Sequence, residues 1–343
     1  MDTKQLLNIL VMVMPAVEKK TTIAQHDHFV FHNRCVSTYN GKIFFSHPIP
    51  LDIECSVIAA DLIEILKTVS SDTVELSVDG SKLLISSDDV KAEMSTEVYE
   101  QSVLNAIKSM GISDIKWDDA ADVPKYFIDG LSQCRFSVSR DASDQRNCHC
   151  LHVIDDAIES GDGYRCAEYV MDGKMQEMLI PATAAAVLIN CTPVCYVVHK
   201  GWAHFMDVKE NIFSVRLVEG DFPDVGKIIS NVEKSVEKLT LPDTLQDLLG
   251  KFTNLSEGDS DVYKFVTITI KDGVVTAFTK KATCNITKKI NISDKETDIS
   301  FSISPVFLMS IMDRTKEIHI NKDMKMAMFM FGSFTHVIVL PAD

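Results

Sequence analysis

The sequence predicts an α+β protein of three tandem repeats, each two helices packed on antiparallel sheets. Three segments share one form, a short strand, a small residue or proline, then an amphipathic helix: Ser56–Leu66, Met178–Leu188 and Phe301–Ile311. Aligning Ile58, Ile180 and Ile303 sets them 122 and 123 residues apart. A second set of helical segments opens at Lys4, Pro124 and Pro242, about half a repeat earlier. Self-similarity at a fixed period marks a repeat architecture.

The elements follow from local patterns. The apolar run Leu6–Val17 is too short to span a bilayer, which needs about 20 residues. It lacks a basic leader and a small-residue cleavage site, so it is expected to be a helix of the mature protein and not a signal peptide. Leu62, Ile65, Leu66 and Val69 fall at helical spacing, as do Leu245, Leu248, Leu249 and Phe252. Pro124 and Pro242 suit a first helical turn, where a missing N–H costs nothing. Between the helices lie strands. Asp79-Gly80 and Asp272-Gly273 are expected two-residue hairpin turns, and Asn40-Gly41 and Lys200-Gly201 mark two more. Solvated, charged junctions near Trp117 and Val236 give expected domains 1–117, 118–235 and 236–343.

Of the 343 residues, 46% are hydrophobic and 24% charged, which excludes collagen-like, disordered and low-complexity chains. Lys and Arg number 34 against 49 Asp and Glu, a net charge of −15. Such a chain does not coat DNA with its whole surface, although a basic inner face on an acidic body is compatible with it. The nine cysteines form no regular framework, and a reducing, cytoplasmic setting is expected.

Chemistry-bearing motifs are sparse. There is no phosphate-binding Gly-x-x-x-x-Gly-Lys-Ser/Thr loop, no His-Glu-x-x-His and no Gly-x-Ser-x-Gly, which argues against an enzyme. Cys148-His149-Cys150-Leu151-His152 is metal-like in composition but alternates as a strand does, without the spacing that lets four ligands converge. A buried, cysteine-rich strand face is the expected role. His26, His28 and His32 alternate in the same way. The run Met324–Phe331 reads as a core strand, and Asp118-Asp119 and Asp155-Asp156 as solvated turns. No cofactor or metal is implied.

One stretch is more specific. Val215–Ile229 reads as a strand ending in an acidic, glycine-bearing turn, then a short helix opened by Pro223. Its core, Leu217-Val-Glu-Gly-Asp-Phe-Pro-Asp224, resembles the leucine-x-x-glycine-x-phenylalanine-proline-aspartate signature of the bacterial-type sliding clamp, the beta subunit of DNA polymerase III. Gly161-Asp-Gly-Tyr-Arg165 is similar to that family's aspartate-glycine-x-arginine turn, with Tyr164 where histidine is usual and Cys166 where leucine is usual. Val337-Ile-Val-Leu-Pro341 is similar to its C-terminal strand and proline. The resemblance implies three repeats of the DNA-clamp (processivity) fold in a head-to-tail homodimeric ring. Its shortness and divergence point to a phage-encoded version.

The resemblance implies a non-catalytic processivity factor, a sliding clamp that encircles duplex DNA without reading its sequence and tethers the replicative polymerase. The polymerase and the clamp loader would insert short peptides into an apolar groove. The groove would include Gly163, Tyr164, Arg165, Cys166, Pro223, Lys227, Ile228, Val339, Leu340 and Pro341. Cations on or just after the repeated helices would face DNA: Lys4, Lys19, Lys20, Lys67, Lys125, Arg135, Arg140, Lys251, Arg314 and Lys316. The competing reading is a structural ring or tube protein of a phage built from repeated β domains, which needs neither a groove nor a basic helix face.

Overall fold

Asp2 opens helix α1 (Thr3–Val13), its carboxylate accepting a hydrogen bond from the Gln5 amide at 2.7 Å. One donor that a helix start leaves orphaned is thereby satisfied. Leu6, Ile9, Leu10 and Val13 form the buried face of α1. The structure is a computed structural model that describes residues 1–18, 21–23, 25–97, 105, 107–141, 143, 146–234, 236–253, 264–281, 283–292 and 297–341. Strands β1 (His28–His32), β2 (Cys35–Tyr39), β3 (Ile43–Pro48) and β4 (Cys55–Ile58) follow, and β4 runs straight into α2 (Ala59–Thr68). The buried face of α2 is Leu62, Ile63 and Leu66. Val69 does not share it, because that residue is extended, with ψ 119°, and ends the helix. Strands β5 (Glu75–Asp79), β6 (Lys82–Ser86) and β7 (Lys91–Ser95) make a meander. Asp79 pairs with Lys82, so the two-residue turn is Gly80-Ser81 and not Asp79-Gly80.

The chain continues with β8 (Ala121–Asp122), α3 (Phe127–Cys134), β9 (Cys150–Gly161), β10 (Arg165–Pro181) and α4 (Ala182–Leu188). Pro124 stands ahead of α3 and not in its first turn, because Tyr126 takes a left-handed φ of 69° that no helix tolerates. Its carbonyl accepts from the Phe127 amide at 3.2 Å. Next come β11 (Cys195–His199), β12 (Trp202–Met206) and β13 (Ile212–Arg216). Lys200 and Gly201, with φ 49° and 77°, are the two left-handed residues of the turn that returns β11 onto β12.

The remainder comprises α5 (Val225–Val232), β14 (Glu237–Thr240), α6 (Thr244–Phe252), β15 (Val266–Lys271), β16 (Val274–Lys281), β17 (Cys284–Asn291), β18 (Ile299–Ile303), α7 (Pro305–Met312), β19 (Glu317–Asn321), β20 (Met326–Phe331) and β21 (Phe334–Val339). Pro242 also precedes its helix, since Asp243 is the cap residue of α6. Leu245, Leu248, Leu249 and Phe252 are buried on one face of α6. The methionine-rich strand is only half core: Ala327, Met328 and Phe329 are buried, but Met330 and Phe331 are 38% and 54% exposed.

Two compact units result, Met1–Ile128 with Met178–Glu219, and Asp129–Glu177 with the chain from Gly220 on. The first holds an eight-stranded sheet in the order β4-β1-β2-β3-β13-β12-β11-β8, besides the β5-β6-β7 meander. In it α1 packs on α2, β2 and β3, and Phe45 of β3 pairs with Phe213 of β13. The second holds a six-stranded sheet, β14-β19-β20-β21-β10-β9, and a four-stranded one, β17-β16-β15-β18. There α6 packs on α7, and α5 on β9 and β20. Ala167 of β10 pairs with His336 of β21. Strand β17 lies at a sheet edge and starts at Cys284, the one cysteine of the nine that is classed as exposed. Each of the three aligned segments is a strand that turns directly into a helix, β4 into α2, β10 into α4 and β18 into α7. Among the described residues no helix is long and apolar enough to cross a membrane.

Candidate functional site

The turn between β9 and β10 builds one wall of a groove in the second unit. Gly163 sits at φ 88°, a conformation that side chains disfavour, and a Cβ there would come within 3.2 Å of the Arg146 guanidinium. Asp162 ties the turn together. Its Oδ1 accepts from the amides of Tyr164 and Arg165 at 3.0 and 3.1 Å, and its Oδ2 from Arg165 Nε at 3.0 Å. The Arg165 guanidinium lies 4.1 Å from the Phe307 ring centre and 5.4 Å from that of Phe136. A cation over aromatic faces is held in place electrostatically.

The opposite wall is the run Phe222-Pro223 and the first turns of α5. Asp224 caps α5 through the Lys227 amide at 2.8 Å. Glu159 Oε1 accepts from the Gly226 amide at 3.2 Å, while its Oε2 meets His152 Nδ1 at 2.8 Å. His152 also meets Glu177 at 3.0 Å, and its ring lies 5.0 Å from that of Phe222. Burial alone would lower the His152 pKa, but the two carboxylates outweigh it and raise it. Gly220, at φ 120°, leaves room for the Asn147 amide, which donates to the Asp221 carbonyl at 3.0 Å.

Between these walls lies a cavity of about 180 Å³. Of the residues expected there, Gly163, Arg165, Cys166, Pro223, Ile228 and Val339 line it. Tyr164 and Lys227 are exposed beside it. Leu340 and Pro341 do not line it; they border another depression, with Ser300, Phe301, Ile320 and Lys325. The Leu340 amide donates to the Lys325 carbonyl at 2.7 Å, beside that second depression. The lining also includes Arg146, Cys148, Gly161, Phe222, Val225, Met326 and Val337, which sequence reasoning did not assign. Phe222 and Val225 lie inside the signature stretch and were findable. Arg146 and Met326 reach the groove through tertiary structure alone. Beneath it, Cys166, Val225, Ile229, Val232, Met328 and Val337 make a buried cluster. Burial pushes the Cys166 thiol up to about 12, so it is an apolar wall and not a nucleophile.

The expected DNA-facing cations differ in exposure. Lys4, Lys67, Lys125, Arg135, Arg140 and Lys251 are exposed. Lys67 pairs with Glu64 at 3.3 Å and Lys125 lies 4.6 Å from the Tyr126 ring centre. Arg314 is half-buried, its guanidinium 4.8 and 5.1 Å from the ring centres of Phe136 and Phe334, and it donates to the Gln133 carbonyl at 3.4 Å. Lys316 is ion-paired to Asp243. Lys19 and Lys20 lie outside the described residues. The helices are not strongly basic: α2 exposes Asp61 and Glu64 beside Lys67, and α6 exposes Asp247 beside Lys251.

Cys148 and Cys150 are buried, and β9 begins only at Cys150, so Cys148 lies in the preceding turn. His26, His28 and His32 face Glu18, Asp27 and Glu54 separately. Among the described residues no group of three or more His, Cys, Asp and Glu side chains is placed to hold a metal ion.

No family model matches the chain, and no curated protein matches it in sequence. Solved structures do. A sliding clamp (DNA polymerase III subunit beta) from Pseudomonas aeruginosa, bound to griselimycin, superposes with a TM-score of 0.82 at 14% identity, over 100% of this chain and 98% of that one. The DNA polymerase III beta chain of Streptococcus pneumoniae gives 0.82 at 15% identity, over 100% and 98%. The sliding clamp of Bacillus subtilis gives 0.80 at 15% identity with the same coverage. The competing phage tube reading finds no support in these likenesses. Agreement over the whole length of both chains at such low identity is agreement of fold, and this chain has the fold of the bacterial sliding clamps.

Proposed function

We propose that the protein is a DNA sliding clamp, a non-catalytic ring that encircles duplex DNA and tethers a replicative polymerase. The observation that carries this reading is the full-length likeness to solved clamps, with a TM-score of 0.82 over 100% of the chain. The ring would be a head-to-tail homodimer in the cytoplasm, each chain contributing domains 1–117, 118–235 and 236–343. Polymerase and clamp loader would dock short peptides in the groove lined by Arg165, Cys166, Pro223, Ile228 and Val339. Apolar walls with a few fixed polar groups suit a peptide with apolar anchors.

Topological linkage needs no base readout. Phosphate contacts position a protein without conveying sequence, and weak, water-mediated contacts permit sliding. A net charge of −15 with few exposed helix cations accords with that role. The test is retention after loading by a clamp loader. The protein should co-elute with nicked circular plasmid and be released when the plasmid is linearised. Retention that survives linearisation, or tight sequence-specific binding to a short duplex, would overturn the proposal.

A further inference from the structure

The first unit contains a cavity of about 340 Å³ that the proposed function does not use. That volume falls in the range of ligand sites, roughly 300–1,000 Å³. It opens between the last turn of α1, at Val11 and Met12, and the end of α4, at Asn190 and Cys191, over a floor that includes Phe45, Phe205 and Phe213. The internal repeat explains why it is open. Cys191 and Arg314 stand equally far beyond the aligned Ile180 and Ile303. Asn211 and Phe334 stand equally far before Phe213 and His336, which occupy matching ladder positions opposite Phe45 and Ala167. Pro15 and Phe136 are the middle residues of matching 3-10 turns, Met14–Ala16 and Arg135–Ser137. In the second unit this position is filled, with the Arg314 guanidinium against the rings of Phe136 and Phe334 at 4.8 and 5.1 Å. In the first unit the same three positions hold Cys191, Pro15 and Asn211, and no described side chain fills the space.

The charge around the cavity matches what is missing. Asp207 lines it, and its carboxylate is held rigid. Oδ1 accepts from the amides of Lys209 and Asn211 at 2.8 and 3.0 Å, and Oδ2 from Asn211 Nδ2 at 2.7 Å. An ionised carboxylate has about four acceptor sites, so one remains for an incoming donor. Burial and the Asp207 charge together push the Cys191 thiol up to about 12. Helices α1 and α4 both end at the cavity, and neither carries a basic residue in its last turn. Helix C-termini favour cations. Among the described lining residues Lys209 is the one cation, and it is exposed at the rim. The rim is also apolar, with Val11, Met12 and Val208 exposed at 52%, 42% and 78%.

We propose that this cavity is a second docking site, which receives an arginine side chain, flanked by an apolar residue, from a partner protein. The guanidinium would lie over the aromatic floor and donate to Asp207, and the apolar neighbour would cover Val11 and Val208. The partner thereby supplies in trans what Arg314 supplies within the chain at the repeated position. This site is separate from the peptide groove and does not depend on the clamp reading.

The test is fluorescence anisotropy with a labelled Gly-Gly-Leu-Arg-Leu-Gly peptide and its citrulline counterpart, which keeps the shape and loses the charge. Saturable binding is expected for the arginine peptide. Citrulline should weaken it by about tenfold or more, the value of a charge-assisted hydrogen bond. Cys191→Arg should fill the cavity from within and abolish binding. Val208→Arg, at a freely exposed position, should weaken binding without touching the fold, so a folding defect in the first variant would not obscure the result. Equal affinity for both peptides, no saturation at millimolar peptide, or unchanged affinity in folded Cys191→Arg and in Val208→Arg would overturn the proposal.

Discussion

Ile228 is the groove residue most open to a clean test. It is partly buried, so its removal costs the wall and not the core. Burying one aliphatic anchor contributes about 1.5–3 kcal/mol. Ile228→Ser should therefore weaken a polymerase tail peptide roughly ten- to a hundredfold, read by anisotropy, while thermal stability stays near wild type. Two buried histidines make a second prediction. Burial first, then the charges of Arg165 and Arg314, lower the His336 pKa from 6.5 to about 3. Burial lowers that of His204 to about 4. Between those values and 6.5 the unfolded chain binds the protons and the folded chain does not. The stability that these two neutral histidines contribute is thus fully present above pH 6.5 and is lost as pH drops below it. In His336→Phe, denaturant titrations from pH 6 to 4 should give a slope of stability on pH shallower by about 1.4 kcal/mol per unit. An unchanged slope would mean that His336 is already charged in the folded protein. Of this residue-level detail, Arg165 was legible through its motif, but its seat between Phe136 and Phe307 was not, because those rings come from segments far apart in sequence.

The helices were the most legible elements, since apolar spacing fixes a buried face whatever the partner. Leu245, Leu248, Leu249 and Phe252 were readable for that reason. Helix starts were less so. Pro124 fits a first turn by its own geometry, but the left-handed Tyr126 decides otherwise, and nothing in the residue type announces it. The hairpin at Asp272-Gly273 was placed correctly because both residues suit a left-handed φ, 51° and 75° here. The solvent faces of α1 and α2 set a DNA prediction. Lys4 and Lys67 stand against Asp61 and Glu64, so short linear duplex should bind weakly. Glu64→Lys removes the partner of Lys67 and adds a cation. It should strengthen that binding and steepen its dependence on log salt by about one unit, the contribution of one phosphate contact. An unaltered salt slope would place α2 away from the DNA.

At the scale of the whole molecule, the repeat was visible in sequence as a period, but the two compact units were not. Each unit assembles segments distant in the chain, for example Met1–Ile128 with Met178–Glu219, and contact order of that kind leaves no local mark. The ring reading predicts a solution mass of twice 38.2 kDa by light scattering. A larger ring or a polymer would favour a tube-like assembly. Because a closed ring is held on DNA by linkage, raising salt should release the protein from linear duplex well before it releases the protein from a nicked circle.

The cysteines carry a practical consequence. Burial pushes Cys55, Cys150, Cys166 and Cys191 up to about 12, holds Cys134 well above the ordinary thiol value and also raises the half-buried Cys35 and Cys195, and thiolate is the form that alkylates. Cys284 is exposed at the start of the edge strand β17. At low reagent excess the first maleimide dye should accordingly go to Cys284, which peptide mapping by mass spectrometry would locate. The fluorophore would sit on an edge strand without any engineered residue, and its lifetime would report any chain that comes to pair with that strand.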